Sequence, residues 1–433
     1  MIEILFVTAM AAITLAIGVP IAFVILLICF TLIANDPFVN IGVVPAIFVQ
    51  GMDSFILLSI PLFVLVGVIM NAGGISQRLL ELAVAMVGHM RAGIAHVNIV
   101  ASMIFSGMSG TTTSDVAGLG RIEIPMMIKE GFRPETAAVI TAVSATIGPI
   151  IPPSVPFILY GALTGTSVGK LFMGGLIPGI LLGLWLMVVV AILARRGTIS
   201  STRMTMERAS MATMLQALRR SFWALLTPVI LIGGITTGWF TATEAAGIAV
   251  VYAIIVTRFI YKSVTYRELF EMFCESAEYV GVIMLVVACA SVFGWQMIQA
   301  GAADVLLDLI KSTGQGPMGT LVVINLLLLV MGMFIEATSL IILLAPLLVP
   351  LLQQTGVDPV HFGVVFTLNM MIATITPPIG MCGLIASDIA GVSMQKFTRE
   401  VIPYVIAMIA FLFFILFFPP IVTYLPNLIF PSK

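Results

Sequence analysis

Apolar stretches about as long as a bilayer is thick, separated by short polar breaks, constrain this chain more than any other feature, because ~20 helical residues span a membrane's hydrocarbon core. Continuous stretches fall at 3–18, 20–34, 54–73, 171–194, 222–239, 243–260, 278–299 and 401–424. Four others are interrupted at their middles: 93–131 at SGMSGTTTS, 134–165 at GPIIPPS, 317–356 at GMFIEATS and 359–389 at TITPPIG. With 60% hydrophobic and 9% charged residues, a soluble globule is excluded. A net charge of -1 leaves no surface of the kind nucleic acid needs. The opening MIEILFVTAMAAITLAIGVP lacks a basic n-region and reads as a retained membrane segment rather than a cleaved signal. Cys29, Cys274, Cys289 and Cys382 lie in or beside apolar stretches without CxxC spacing, and read as core packing.

Sliding the sequence over itself by 225 positions superimposes the interruptions without a gap. Gly107 faces Gly332, Thr113 Thr338, Ser114 Ser339 and Gly131 Gly356. Pro125, Pro134, Pro152, Pro153 and Pro178 face Pro350, Pro359, Pro377, Pro378 and Pro403. Apolar matches are cheap in such a chain, but five aligned prolines at one offset are not, so the chain reads as two homologous halves. The expected fold is an all-α polytopic membrane protein with two inverted repeats of about five crossings each, two re-entrant hairpins and two broken helices. The first repeat occupies 1–200, with outer helices in 1–90 and the hairpin and broken helix in 93–165. A connecting helix at 201–220 leads to the second repeat at 221–425, whose corresponding parts are 221–300 and 317–389.

An odd number of crossings turns the second half upside down. With the N-terminus outside, fifteen of the nineteen Lys and Arg residues fall inside, Arg121 lies in the first hairpin, and Lys170, Lys311 and Lys433 fall outside. The positive-inside rule supports that orientation, with both termini extracytoplasmic. The joint at 195–220 holds six arginines and one glutamate, and its MERASMATMLQALRR reads as an amphipathic helix at the lipid surface. The segment SVTYRELFEMFCES at 263–276 reads as a second interfacial arm.

Broken helices at membrane depth mark a cavity, because hydrocarbon offers no partner to free backbone groups. In GPIIPPS, Pro149, Pro152, Pro153 and Pro156 remove amide donors and free carbonyls such as those of Gly148 and Ile151, which suit a hard monovalent cation. The hairpin tip from Ser106 to Ser114 adds hydroxyls, and the amino end of its half-helix favours a carboxylate. Intramembrane charges are functional candidates by default: Asp115, Arg121 and Glu123 in the first hairpin, Glu336 at the tip of the second. Asp115 and Arg121 read equally as a structural pair or cap. Glu244 in TATEAAG reads as a helix cap, and Asp388 as solvated near a cytoplasmic end. His89, His96 and His361 are too scattered for a metal site. No HExxH or GxSxG is present, and GTSVGKL departs from a phosphate loop in both spacing and its final leucine, so no enzyme chemistry is read.

The segments FSGMSGTTTSDVAGLGRIEIPMM, GFRPETAAVITAVSATIGPIIPPSVPFILYG, GMFIEATSLIILLAPLLVPLL and MIATITPPIGM resemble the large membrane subunit of tripartite ATP-independent periplasmic (TRAP) transporters, and the resemblance extends over essentially the whole chain. It implies an elevator in a bacterial inner membrane, importing an organic acid of sialic acid or C4-dicarboxylate type. Sodium ions drive it and no organic cofactor is needed. The implied partners are an extracytoplasmic solute-binding protein and a small four-helix membrane subunit. The resemblance carries a first sodium site onto Ser109 and the carbonyls of Gly148, Ile151 and Pro153, and a second onto Gly332, Thr374, Thr376 and Pro378. Candidate cargo contacts are Ser106, Thr111, Thr112, Thr113, Asp115, Arg121 and Glu336. The run of three threonines departs from the family's small-residue tip. An ion channel with the broken helices as its filter is the rival reading, and a membrane-embedded enzyme a third.

Overall fold

The computed structural model describes residues 10, 13–14, 17–35, 41–197, 199, 208–300 and 316–431, and among them it is all helical. The expected helix at 3–18, the joint at 201–207 and the loop at 301–315 lie wholly or largely outside the described residues. The first half contains α1 (Ile21–Asn35), α2 (Val44–Met52), α3 (Ser59–Ala72), α4 (Ile75–Val87), α5 (Gly93–Ser109), α6 (Thr112–Gly118), α7 (Gly120–Lys129), α8 (Pro134–Ala145), α9 (Val155–Thr164) and α10 (Val168–Arg195). The second contains α11 (Met211–Thr236), α12 (Ala242–Ile254), α13 (Tyr266–Gln299), α14 (Pro317–Gly332), α15 (Ala337–Gln354), α16 (Pro359–Ala373), α17 (Met381–Ala390), α18 (Met394–Phe417) and α19 (Pro420–Ile429).

The repeat is visible in the helix starts: α5, α6, α8, α9 and α10 begin within one residue of 225 positions before α14, α15, α16, α17 and α18. It is visible in packing too. α9 packs on α15 as α17 packs on α6 and α7, and α10 packs on α16 as α18 packs on α8. Each hairpin arm therefore rests on the broken helix of the other half. α16 is buried at every residue from Val360 to Ala373, and α8 from Thr136 to Ala145, so the two helices that lead into the breaks form the centre. Their polar side chains find partners inside: Asn98 Nδ2 donates to Thr141 Oγ1 at 2.8 Å, and Asn369 Nδ2 donates to Asn325 O and Oδ1 at 2.8 and 2.9 Å. Around this centre, α3 packs on α12, α4 on α11, and α13 on α1, α2 and α3, forming a frame.

Six helices among the described residues are long and apolar enough to cross a bilayer singly, or seven if the bent pair α3–α4 is one span. That is fewer than two sets of five, because several shorter apolar helices are arranged as broken or hairpin pairs. Three expectations are corrected. Residues 211–220 are the opening turns of α11 rather than a separate connecting helix, since Ser210 caps the helix by accepting from Thr213 N and no breaker follows at 220. The arm at 263–276 runs straight into α13, started by a capping box in which Thr265 and Glu268 satisfy each other's backbone amides. The last stretch, 401–424, breaks at Phe418 before Pro419 and Pro420. The polar stretch after 73 also forms a helix, α4, bent 71° from α3 at Gly73–Gly74, where Gly74 adopts φ 69. Glu244 caps α12 as expected, and Asp388 is exposed. Cys274 is exposed, unlike the three buried cysteines, because it lies on the outward face of α13.

Candidate functional site

At the first break, three carbonyls lose their helical donors for three separate reasons. Gly148 would bond the amide of residue 152, which is proline and has none. Ile151 would bond Val155, whose N–H is diverted to the hairpin, donating to Gly110 O at 3.2 Å. Pro153 would bond Phe157, whose N–H is taken by the Ser154 cap at 3.2 Å. Ser154 Oγ in turn donates to Pro149 O, which leaves the carbonyls of Gly148, Ile151 and Pro153 free among the described residues.

The hairpin tip closes over these carbonyls. Gly110 has φ 66, and a Cβ there would stand 2.9 Å from Pro153 O, so only glycine fits both the turn and the approach. Ser109, 2% exposed, presents an Oγ without a hydrogen-bond partner among the described residues. Asp115, 1% exposed, likewise has both carboxylate oxygens unpartnered, and faces Ser109. A Cβ on Gly148 would overlap the Asp115 carboxylate. Hydroxyl, carboxylate and free carbonyls thus meet in the buried interior behind the hairpin tip. Unpaired buried groups of this kind are costly alone and are satisfied by a small cation with oxygen ligands.

Next to them lies a cavity of about 640 Å³ between the hairpin and the frame. Its hairpin wall carries Ser109, Thr111, Thr113, Ser114 and Arg121; its frame wall carries Asn71 of α3 and Glu268, Glu271, Glu275, Ser276 and Tyr279 of α13. A cleft of about 40 Å³ joins the two hairpin tips, bringing Thr111, Thr112, Thr113, Glu336 and Thr374 together. Thr112 Oγ1 also donates to Met371 Sδ at 3.0 Å, fastening the first tip to α16.

Other expected site residues are placed differently. Ser106 is buried, donates to Met103 O at 2.7 Å and lines neither space. Asp115 also lines neither, and points at Gly148 instead. Glu336 is exposed and caps α15, accepting from Ser339 N at 2.8 Å. In the second break, Cys382 N donates to Thr374 O at 3.0 Å, so this carbonyl is spoken for, and Pro378 is exposed. Thr376 Oγ1 donates to Ile372 O at 2.6 Å, while a Cβ on Gly332 would overlap that of Ala373, which marks Gly332 as a close contact between α14 and α16. The two breaks share cis Pro152–Pro153 and cis Pro377–Pro378, yet Ser109 and Asp115 face Phe334 and Leu340 across the repeat, so the second half lacks the oxygens that complete the first. The frame-side residues of the cavity were missed in the sequence; Glu268, Glu271, Glu275 and Ser276 at helical spacing were the available signal.

The sequence profile of the tripartite ATP-independent periplasmic transporter DctM component matches residues 6–421. The chain is 38% identical over 414 residues to the sialic acid TRAP transporter large permease protein SiaM of Vibrio cholerae, covering 95% of each. It is 40% identical over 384 residues to the sialic acid TRAP transporter permease protein SiaT of Haemophilus influenzae, where 88% of this chain spans 62% of the longer relative. Among solved structures, the YdaH transporter of Alcanivorax borkumensis has a similar fold, with a TM-score of 0.60, 13% identity, and coverage of 91% of this chain and 95% of that one. The chain therefore belongs to the DctM family, the multi-pass permease component of tripartite ATP-independent periplasmic transporters.

Proposed function

We propose that the chain is a sodium-driven importer of an organic acid in a bacterial inner membrane, working with a small membrane subunit and an extracytoplasmic binding protein. The observation that carries the cation reading is the trio of carbonyls freed at Gly148, Ile151 and Pro153, facing the unpartnered Ser109 hydroxyl. Asp115 is better read as a partner of this cation than of the cargo, since its carboxylate lies against Gly148. The second set, Gly332, Thr374, Thr376 and Pro378, remains a weaker cation position, with Thr376 and Pro378 contributing carbonyls. Cargo is read into the 640 Å³ cavity, its carboxylate at Arg121 and the threonine hydroxyls of the tip, with Thr112 and Glu336 at the junction of the two hairpins. A sialic acid type of cargo is favoured by the names of both relatives, and a C4-dicarboxylate is the alternative.

The interleaved centre, residues 93–165 and 317–389, is read as a transport domain that slides as an elevator against a scaffold of 1–90 and 221–300. The positive-inside tally supports extracytoplasmic termini and a cavity opening towards the cytoplasm, because the segments bordering it carry Arg78, Arg258, Lys262 and Arg267. The test is uptake of an organic-acid panel into proteoliposomes containing the chain with and without its two partners, under an inward sodium gradient. Accumulation that requires sodium and both partners is expected. Equal uptake with potassium in place of sodium refutes the coupling, and equal rates without partners refute the tripartite assembly.

A further inference from the structure

The cavity has walls of opposite character. The hairpin wall holds its only cationic side chain among the described residues, Arg121, whereas the frame wall on α13 holds Glu268, Glu271 and Glu275 at i, i+3 and i+7. Glu268 is engaged in the capping box, Glu271 pairs with exposed Arg267 at 3.1 Å, and Glu275 forms no ion pair among the described residues. The next residue, Ser276, lines the same cavity, 4% exposed and with an Oγ that has no hydrogen-bond partner among the described residues. Glu268, Glu271 and Glu275 are all exposed, so this wall meets water or a polar solute rather than packed protein. Carboxylates facing an aqueous space repel an anion across it.

We propose that this acidic wall is an ejector for anionic cargo: it lowers cargo affinity only while the hairpin faces α13, and so favours release over rebinding on the cytoplasmic side. The inference rests on the organic-acid reading above. A cargo anion held at Arg121 gains affinity from the hairpin in every position of a moving domain, but meets Glu271 and Glu275 only in this arrangement. At a separation of ~10 Å in water, each such charge changes the affinity for a monoanion roughly twofold, so neutralising both changes it roughly fourfold. The effect fades as salt shortens the screening length.

The experiment is a sided measurement of cargo KM, by exchange in proteoliposomes of known orientation, for wild type, Glu271→Gln/Glu275→Gln, and Glu278→Gln. Glu278 is exposed on the same helix but lies outside the cavity lining, which makes it a control for general surface charge. The double variant should lower the cytoplasmic-side KM roughly fourfold at low salt, leave the opposite side unchanged, and lose its advantage in high salt, while Glu278→Gln behaves as wild type. A cytoplasmic KM that does not move, a change equal on both sides, or the same change in Glu278→Gln overturns the proposal. Wild-type vesicles that move no organic anion overturn the transport reading and this inference with it; wild-type transport beside unaltered variants overturns this inference alone.

Discussion

Gly148→Ala probes the cation site with a single methyl group. An ideal Cβ at this position overlaps Oδ2 of Asp115 and lies 3.1 Å from Ala145 O. Neither neighbour yields easily: Ala145 O is helix backbone, and Asp115 is 1% exposed in a packed wall. Over-packing of this kind costs ~1–3 kcal/mol. Swinging the Asp115 carboxylate away relieves the overlap, but that movement removes it from the carbonyls that the cation needs. The penalty therefore falls mainly on the loaded state. At about 1.4 kcal/mol per tenfold, sodium half-saturation should rise roughly five- to a hundredfold. The assay is cargo uptake against sodium concentration in proteoliposomes, with the melting temperature of the purified variant measured alongside. Gly233→Ala in α11 is the control, since a Cβ there meets nothing within 4 Å. A folded Gly148→Ala protein with wild-type half-saturation, or an equal shift in Gly233→Ala, would refute the reasoning.

Ser109→Ala removes a hydroxyl that faces the Asp115 carboxylate and meets the geometry of no hydrogen bond among the described residues, so sodium half-saturation should rise while the melting temperature holds; the reverse pattern would make Ser109 a packing residue. Arg121→Gln removes the sole cation of the cavity among the described residues and should raise cargo KM by roughly tenfold or more, the scale of a lost charge-assisted hydrogen bond, and an unchanged KM would take the cargo carboxylate elsewhere. Asn325→Leu removes one of the two acceptors of the buried Asn369 Nδ2, leaving the backbone Asn325 O, and should cost ~1 kcal/mol of stability, with Asn325→Leu/Asn369→Leu recovering part of the lost melting temperature; simple additivity of the two changes would contradict a paired network. Single cysteines at Gly165 and Gly197, both in open space, should label from the extracytoplasmic and cytoplasmic sides respectively, and labelling from one common side would invalidate the inverted arrangement.

Much of the centre was legible because proline acts locally. The missing amide of Pro152 frees Gly148 whatever surrounds it, and the aligned prolines at one offset locate both breaks. What stayed hidden depends on groups far apart in the chain. The Ile151 carbonyl, expected to be free on account of the prolines, is freed instead because the Val155 amide turns to Gly110, and the Thr374 carbonyl is occupied because Cys382 reaches back to it; neither cause follows from local spacing. Asp115 was legible as a costly intramembrane charge, but the direction of its side chain is set by how α6 lies against the break. The helix boundaries at 211 and 265 had local signals, Ser210 and Thr265 with Glu268, that the apolar pattern alone outweighed. The acidic wall escaped because residues 263–276 were read as lying on the membrane surface, whereas α13 carries them along the cavity.

The crossed packing of each hairpin arm on the broken helix of the other half also sets a timetable for the chain during its own synthesis. α9 leaves the ribosome well before α15, the helix that will cover it, and α6 waits similarly for α17. At ~5–20 residues per second, more than a hundred residues of translation separate such partners by roughly ten seconds or longer. Throughout that interval the faces of α9 and α6 that α15 and α17 will cover stay without those partners. A cell that makes this protein must therefore shelter an unfinished, polar-hearted bundle at its insertion machinery, and truncated chains ending before α15 are expected to be cleared rather than to persist as half-sized bundles.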